Sequence, residues 1–295
     1  MHATIENLSR AAREAYENLP RATSLLATNA KLEKNAGAAA DYLIAGLTLA
    51  PHTLALRGTE NTLCPQATAG CVSACLAWFS GQRVTPQARG RALANTAWLL
   101  VDPEEFLCRL SRCVENHRRR ATRLGLIPLV RLNVASDLNW TPFVAAHPDV
   151  VFYDYTKRPL RGAQYGAGEM PKNYHITFSA SESTRPREWA RFLRQGVNVA
   201  AVFDVLYQGG GRYRPWQKGA LPESVVWDGD AFPVVDGDLH DVRLPHVDGR
   251  GVVVALRLKG TRAAKARARR SGFALAADGS QRVAESAELV RFYSV

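Results

Sequence analysis

The chain lacks most of the short signatures by which an enzyme class is read from sequence. No G-x-G-x-x-G follows a strand-like run and no G-x-x-x-x-G-K-[ST] occurs, so neither a dinucleotide site nor a P-loop is supported. There is no H-E-x-x-H and no G-x-S-x-G, which removes the usual marks of a zinc peptidase and of a serine hydrolase elbow. No stretch approaches the length of uninterrupted apolar residues that a membrane span needs. Met1 to Glu17 is polar and helical in pattern, without the apolar core of a secretory signal, so a cytoplasmic, reducing location is expected. Acidic residues are also in short supply. Against 38 Lys and Arg stand 27 Asp and Glu, a formal net charge of +11. That excess suits an anionic small molecule or nucleic acid, or it is simply a basic, Arg-rich surface.

Cysteine is sparse too, five in 295 residues, but three of the five fall together. Cys64, Cys71 and Cys75 form a C-x6-C-x3-C run between an apolar strand-like stretch, Thr53–Leu56, and a helix-like one. In a reducing compartment such a cluster points to a metal site or a catalytic group before a disulfide. Thiolates select iron–sulfur clusters, zinc or copper(I). A closed zinc site wants four ligands, normally in C-x2-C pairs. An iron–sulfur cluster tolerates looser spacing, and a 4Fe-4S cluster held by three cysteines leaves one iron open. The expectation is an iron–sulfur cluster, with zinc or no metal as alternatives. Cys108 and Cys113 lie about 140° apart on a helix pattern, so they read as buried small hydrophobes.

Strand-like and helix-like stretches alternate from Thr53 onward. Strands are expected at Thr53–Leu56, Pro128–Val134, Val150–Tyr155, Tyr174–Phe178, Val197–Phe203, Phe232–Val235 and Gly251–Leu258. Helices are expected at Pro86–Leu100, Pro103–Leu124, Thr141–Ala146, Arg187–Gln195 and Thr261–Arg270. The alternation predicts an α/β fold, an incomplete or irregular (β/α) barrel of mostly parallel strands. Residues 1–50, Ala- and Asn-rich, are expected as an N-terminal helical extension (Ile5–Leu19, then a short element at Thr23–Leu32), with residues 51–295 as the barrel-like domain.

Polar residues recur where these strands end, and in parallel α/β folds the carboxyl ends form the site. Lys157, Asp154 and Asp137 are the candidate catalytic groups. Asn133, Ser136, Ser179, Asp204 and Asp236 are candidate cofactor-binding residues around the same cavity, above metal ligands Cys64, Cys71 and Cys75. Strand ends favour Asp, Ser and Thr for turn reasons as well. His52 is a further candidate beside the cysteine loop. Asp236, Asp238 and Asp241 read either as a divalent-cation group or as a solvated acidic turn. Gly209–Pro215 reads as a lid or phosphate loop, and Arg118–Arg120 and Arg262–Arg270 as basic runs able to track a phosphate backbone.

Taken as a series, Cys64-Pro65…Cys71…Cys75-Leu76-Ala77, Arg131-Leu132-Asn133…Ser136-Asp137, Phe152-Tyr153-Asp154-Tyr155-Thr156-Lys157, Asn173-Tyr174-His175…Thr177-Phe178-Ser179, Val202-Phe203 and Asp236-Gly237-Asp238…Asp241-Val242-Arg243 resemble the gene product 88 family of phage and prophage proteins, over roughly residues 29 to 275. The cysteine loop also resembles that of radical S-adenosylmethionine barrels. Their C-x3-C-x2-C run binds a four-iron cluster that chelates the cofactor, so S-adenosylmethionine is an implied ligand. The present spacing departs from theirs, and no glycine-rich motif follows the second expected strand. Two functions are carried forward: an iron–sulfur protein, an enzyme if the radical chemistry holds, and a nucleic-acid-binding accessory protein with a structural zinc or iron–sulfur site. Neither sets an oligomeric state.

Overall fold

A computed structural model describes residues 4–28, 39–56, 62–79, 85–208 and 217–283. Among them the chain builds one nine-stranded sheet and a two-stranded ribbon. The sheet strands are β1 (Leu26–Ala27), β2 (Tyr42–Leu47), β3 (Ile127–Arg131), β4 (Val151–Thr156), β5 (Tyr174–Ser179), β6 (Val199–Phe203), β9 (Ser224–Trp227), β10 (Asp230–Asp236) and β11 (Val253–Arg257). The ribbon pairs β7 (Tyr207–Gln208) with β8 (Gln217–Lys218). The sheet order is β1-β2-β3-β4-β5-β6-β11-β10-β9. From β2 to β10 every neighbouring pair is parallel, while β1 and β9 close the two edges antiparallel. The mostly parallel α/β architecture therefore stands, but the sheet is open. Its edge strands do not meet, so the expected barrel does not close.

The helices are α1 (Arg10–Asn18), α2 (Ala69–Ser73), α3 (Leu76–Phe79), α4 (Pro86–Val101), α5 (Pro103–Arg123), α6 (Thr141–Ala145), α7 (Pro159–Gly166), α8 (Pro186–Arg194), α9 (Pro245–Asp248) and α10 (Arg262–Arg270). Local chemistry starts the long ones. Thr85 caps α4 and Asp102 caps α5, each followed by proline at the first helical position, where a missing N–H costs nothing. Phe106, Leu110, Cys113 and Val114 of α5 and Leu93, Ala97 and Trp98 of α4 join Leu47, Val130, Leu132, Phe152 and Ile176 of one sheet face in a single core. Trp189, Phe192 and Leu193 of α8 continue that layer against Phe178, Val199, Phe203 and Val253. The opposite face is covered differently. Val242 and Leu244 pack on Tyr42, Ile44, Leu129 and Tyr153.

The expected strand at Thr53–Leu56 is a turn, with Leu56 making one isolated bridge to Leu8. The strand that fills its place is β2, inside the stretch assigned to the helical extension, and it is parallel to β3 from Tyr42 to Gly46. Its sequence, Tyr-Leu-Ile-Ala-Gly-Leu, carries no alternation because both faces are covered, as expected of a parallel-sheet interior. The Thr23–Leu32 element contains β1, and its residues 29–32 lie outside the described residues, as does the whole of the expected lid, residues 209–215. Cys113 is buried and receives the Leu25 N–H on its sulfur at 3.4 Å, but Cys108 is exposed, against expectation.

Candidate functional site at the carboxyl ends of the strands

Two layers of polar side chains lie at the carboxyl ends of β3, β4 and β5. The lower one is a latch. Asn133 takes hydrogen bonds on Oδ1 from Ser136 Oγ (2.8 Å), the Leu138 N–H (2.9 Å) and Trp140 Nε1 (3.2 Å). Its own N–H and Nδ2 reach Asp154 at 2.7 and 3.1 Å, and Tyr174 Oη donates to the same carboxylate at 2.7 Å. Asp154 is fully buried, and that burial pushes it up to about 6 against the donors that favour its charge. Asn133, Ser136 and Asp154, expected to line a cavity, are thus the buried clasp that sets the course of the chain after β3.

The upper layer faces the cysteine loop. Asp137 accepts from Thr156 Oγ1 (2.8 Å), the Lys157 N–H (2.9 Å) and Arg161 Nη1 (3.3 Å), which fixes the turn that presents Lys157. Lys157 Nζ donates to Ser179 Oγ (2.7 Å) and Ala180 O (3.3 Å), and lies 5.2 Å from the centre of the Phe273 ring. Cys64 follows at the mouth of the loop. Its sulfur receives the His52 N–H at 3.3 Å, and His52 itself holds a left-handed backbone, φ 53°. Cys71 sits on the short helix α2, whose amino end is clasped by Glu182. One carboxylate oxygen takes Thr68 Oγ1 (2.7 Å) and the other the Gly70 N–H (2.6 Å). A side chain at position 70 would come within 2.5 Å of Ser271 Oγ and 2.7 Å of Glu182, so only glycine fits. Arg267 of α10 completes the mount, donating to Ser73 O at 2.7 Å.

Electrostatics tie these groups into one site. Burial pushes Cys64 up to about 12, and nearby Cys71, Cys75 and Asp137 push the same way. Burial also raises Cys71, opposed by the Lys157 ammonium and reinforced by Glu182 and Asp137. Cys64, Cys71, Cys75, Asp137, Lys157 and Ser179 thus lie in one neighbourhood at the strand ends. Asp204 and Asp236 are not free to join them. Asp204 is held by Arg269 and Arg282, and Asp236 by both its oxygens on Arg257. The Asp236, Asp238, Asp241 group is likewise divided. The first two serve Arg257, while Asp241 takes Arg131 and Tyr153. The basic runs are partly neutralised, with Arg118 and Arg119 on Glu115 and Arg269 on Asp204.

Sequence reasoning missed Glu182 and Phe273, and read Arg267 only as part of the Arg262–Arg270 basic run. Glu182 carried a usable signal, a polar Ser-Glu-Ser-Thr run just after β5. Phe273, at the exit of α10, had none. Beside the loop, a cavity of about 60 Å³ is lined by Ala74, Leu76, Val202, Leu256, Arg257, Leu258, Lys259 and Phe273.

Fold and site together define an open, mostly parallel α/β protein with a cysteine loop mounted over its strand ends. The model of the Gene product 88 family matches residues 23–276, and the chain belongs to that family. No curated protein and no solved structure matches it. Among the described residues, no helix is long and apolar enough to cross a membrane.

Proposed function

We propose that this Gene product 88 protein is a thiolate-ligated metal protein, with Cys64, Cys71 and Cys75 as ligands of an iron–sulfur cluster at the carboxyl ends of the parallel strands. One observation carries the reading. Cys64 is pushed up to about 12 by burial, with Cys71 and Cys75 close enough to add to the rise. Cys64 and Cys71, both raised by burial, are poor isolated thiolates and good metal ligands, because a cation that displaces their protons supplies the missing counter-charge. Among the described residues no three His, Cys, Asp or Glu side chains converge on a single ion. A zinc ion needs its donors about 2.3 Å from one point. A cluster takes one thiolate per iron, so its donors need not meet at a single point. Three cysteines leave one iron of a four-iron cluster without a protein thiolate, and S-adenosylmethionine is the small molecule we assign to that position. Lys157 stands beside the thiols as the cation for an anionic group on such a ligand, with Asp137 fixing its backbone.

Anaerobic purification, followed by an absorption spectrum and iron, sulfide and zinc analysis of wild type and Cys71→Ala, tests this. Broad visible absorption with iron and sulfide, lost in the variant, supports the cluster, and S-adenosylmethionine cleavage by the reduced protein is then the test of the ligand. A colourless protein with stoichiometric zinc replaces it with a structural site and gives precedence to salt-dependent duplex DNA binding. A folded protein with no metal in either preparation overturns it.

A further inference from the structure

The sheet face opposite α4, α5 and α8 holds a second group of polar side chains that the cysteine site does not use. Arg131 of β3 donates from Nη1 to Asp241 at 3.0 Å, and Tyr153 Oη donates to the same carboxylate oxygen at 2.9 Å. Arg243 pairs with Asp248 at 2.9 Å. The Arg131 guanidinium lies 4.7 Å from the centre of the Tyr155 ring, and the charge of Arg243 also acts on the Tyr155 hydroxyl. Arg131 is 8% exposed and Arg243 2%.

These pairings leave a remainder. Tyr155 Oη, Arg131 Nε and Arg243 Nε are buried and have no hydrogen-bond partner, and neither has Asp248 Oδ2. A buried donor without an acceptor is costly, so a native protein seldom keeps one, and three around one tyrosine ask for a common acceptor. The three donors come from three segments, β3, β4 and the turn between β10 and α9. Burial has already pushed Asp248 up to about 6. The carboxylate facing Arg243 therefore gives up its charge readily when another anion enters.

We propose that Tyr155, Arg131 and Arg243 form an oxyanion pocket on this face, and that it takes the carboxylate of a small molecule. One carboxylate supplies two oxygens for the three donors, while Arg131 Nη1 stays on Asp241, Arg243 Nη1 on Asp248 and Arg243 Nη2 on His240. The pocket is independent of the cysteine loop and of whatever that loop binds.

Tyr155→Phe tests it without emptying the core, since it keeps the ring beneath Arg131 and removes only the unpartnered hydroxyl. Thermal unfolding of the full chain is followed with sodium acetate, sodium succinate or sodium phosphate, each against sodium chloride at equal ionic strength. Without added anion the variant is expected to unfold at the same temperature as wild type or higher, having lost an unsatisfied buried group. A carboxylate is expected to raise the wild-type midpoint, with half-saturation about tenfold weaker in the variant, the loss of one hydrogen bond. Equal response of the two proteins overturns the pocket, as does no response to either carboxylate. A response to phosphate alone overturns the carboxylate assignment.

Discussion

The two faces of the one sheet solve the problem of burial in opposite ways. On the helix-covered face, Phe152, Ile176, Phe178, Val199 and Val253 meet α4, α5 and α8 through apolar contact, and the lone ionisable strand residue of β4 there, Asp154, is wrapped in donors. On the other face the same strands present Arg131, Tyr153 and Tyr155, closed over by Asp241, Val242, Arg243 and Leu244. Alternation along a strand permits this: within β4, Phe152 and Tyr153 are neighbours in sequence but join different cores. The apolar face holds through area removed from water. The polar face holds only while each charge keeps its partner, which makes it the more specific and the more fragile of the two.

The largest effect should come from breaking that partnership. Arg131→Met leaves Asp241 buried, short of its cation and fully hidden from water. Loss of one member of such a pair costs about 3–5 kcal/mol, whereas apolar replacement of both members is often close to neutral. Denaturant unfolding of Arg131→Met and of Arg131→Met/Asp241→Leu should therefore show a large loss in the single variant and recovery of most of it in the double. A single-variant loss below about 1 kcal/mol would mean that the two faces do not differ in the way described.

That division was only half visible in the sequence. The cysteine loop, Lys157 and Asp137 were singled out because polar residues recur at several strand ends on one side of the sheet, and Asp137 and Lys157 do meet beside the thiols. The same rule misplaced Asp154, which lies three residues before Lys157, buried on the helix-covered face of β4. It also gave Asp204 and Asp236 an open role, although both are matched to arginines more than twenty residues away in sequence, Arg269 and Arg257. Strand β2 was hidden for a related reason. A strand covered on both faces loses the alternation that identifies strands, and its Ala- and Gly-containing run reads as neither strand nor helix. Pairings between distant segments leave no local periodicity, so Arg131 with Asp241 was not foreseeable from either stretch alone.

A smaller effect separates the buried carboxyl of the helix-covered face by its pH dependence. Asp154 is pushed from 3.8 up to about 6 by burial, so the native state binds its proton more tightly than the unfolded chain does. The sign follows. This contribution is fully present below the unfolded value and is lost as pH rises through the native one, about 2 kcal/mol between pH 4 and pH 7 from this group alone. Asp154→Asn should flatten that part of the stability–pH curve. At pH 7 it should also cost about 1–3 kcal/mol, because an amide N–H then faces donors from Asn133 and Tyr174. Asp248, on the other face, is pushed up to about 6 as well, so a residual slope of the same sign is expected to remain in the variant.

The smallest effect sharpens the comparison from outside the core. Arg194 uses the same chemistry as Arg131, a guanidinium on carboxylates, at 2.9 Å from Asp228 and 2.7 Å from Asp230. Its side chain is 43% exposed, however, and water screens both pairs. Arg194→Ala should cost at most about 1 kcal/mol, shrinking toward zero as salt is added. Arg131→Met should keep its cost across the same range of sodium chloride, because Asp241 is fully hidden from water. If the two variants lost stability equally and with equal salt dependence, burial would not be what gives the Arg131 pair its weight. The polar face would then owe its order to Val242 and Leu244 packing on Tyr42, Ile44 and Leu129 instead.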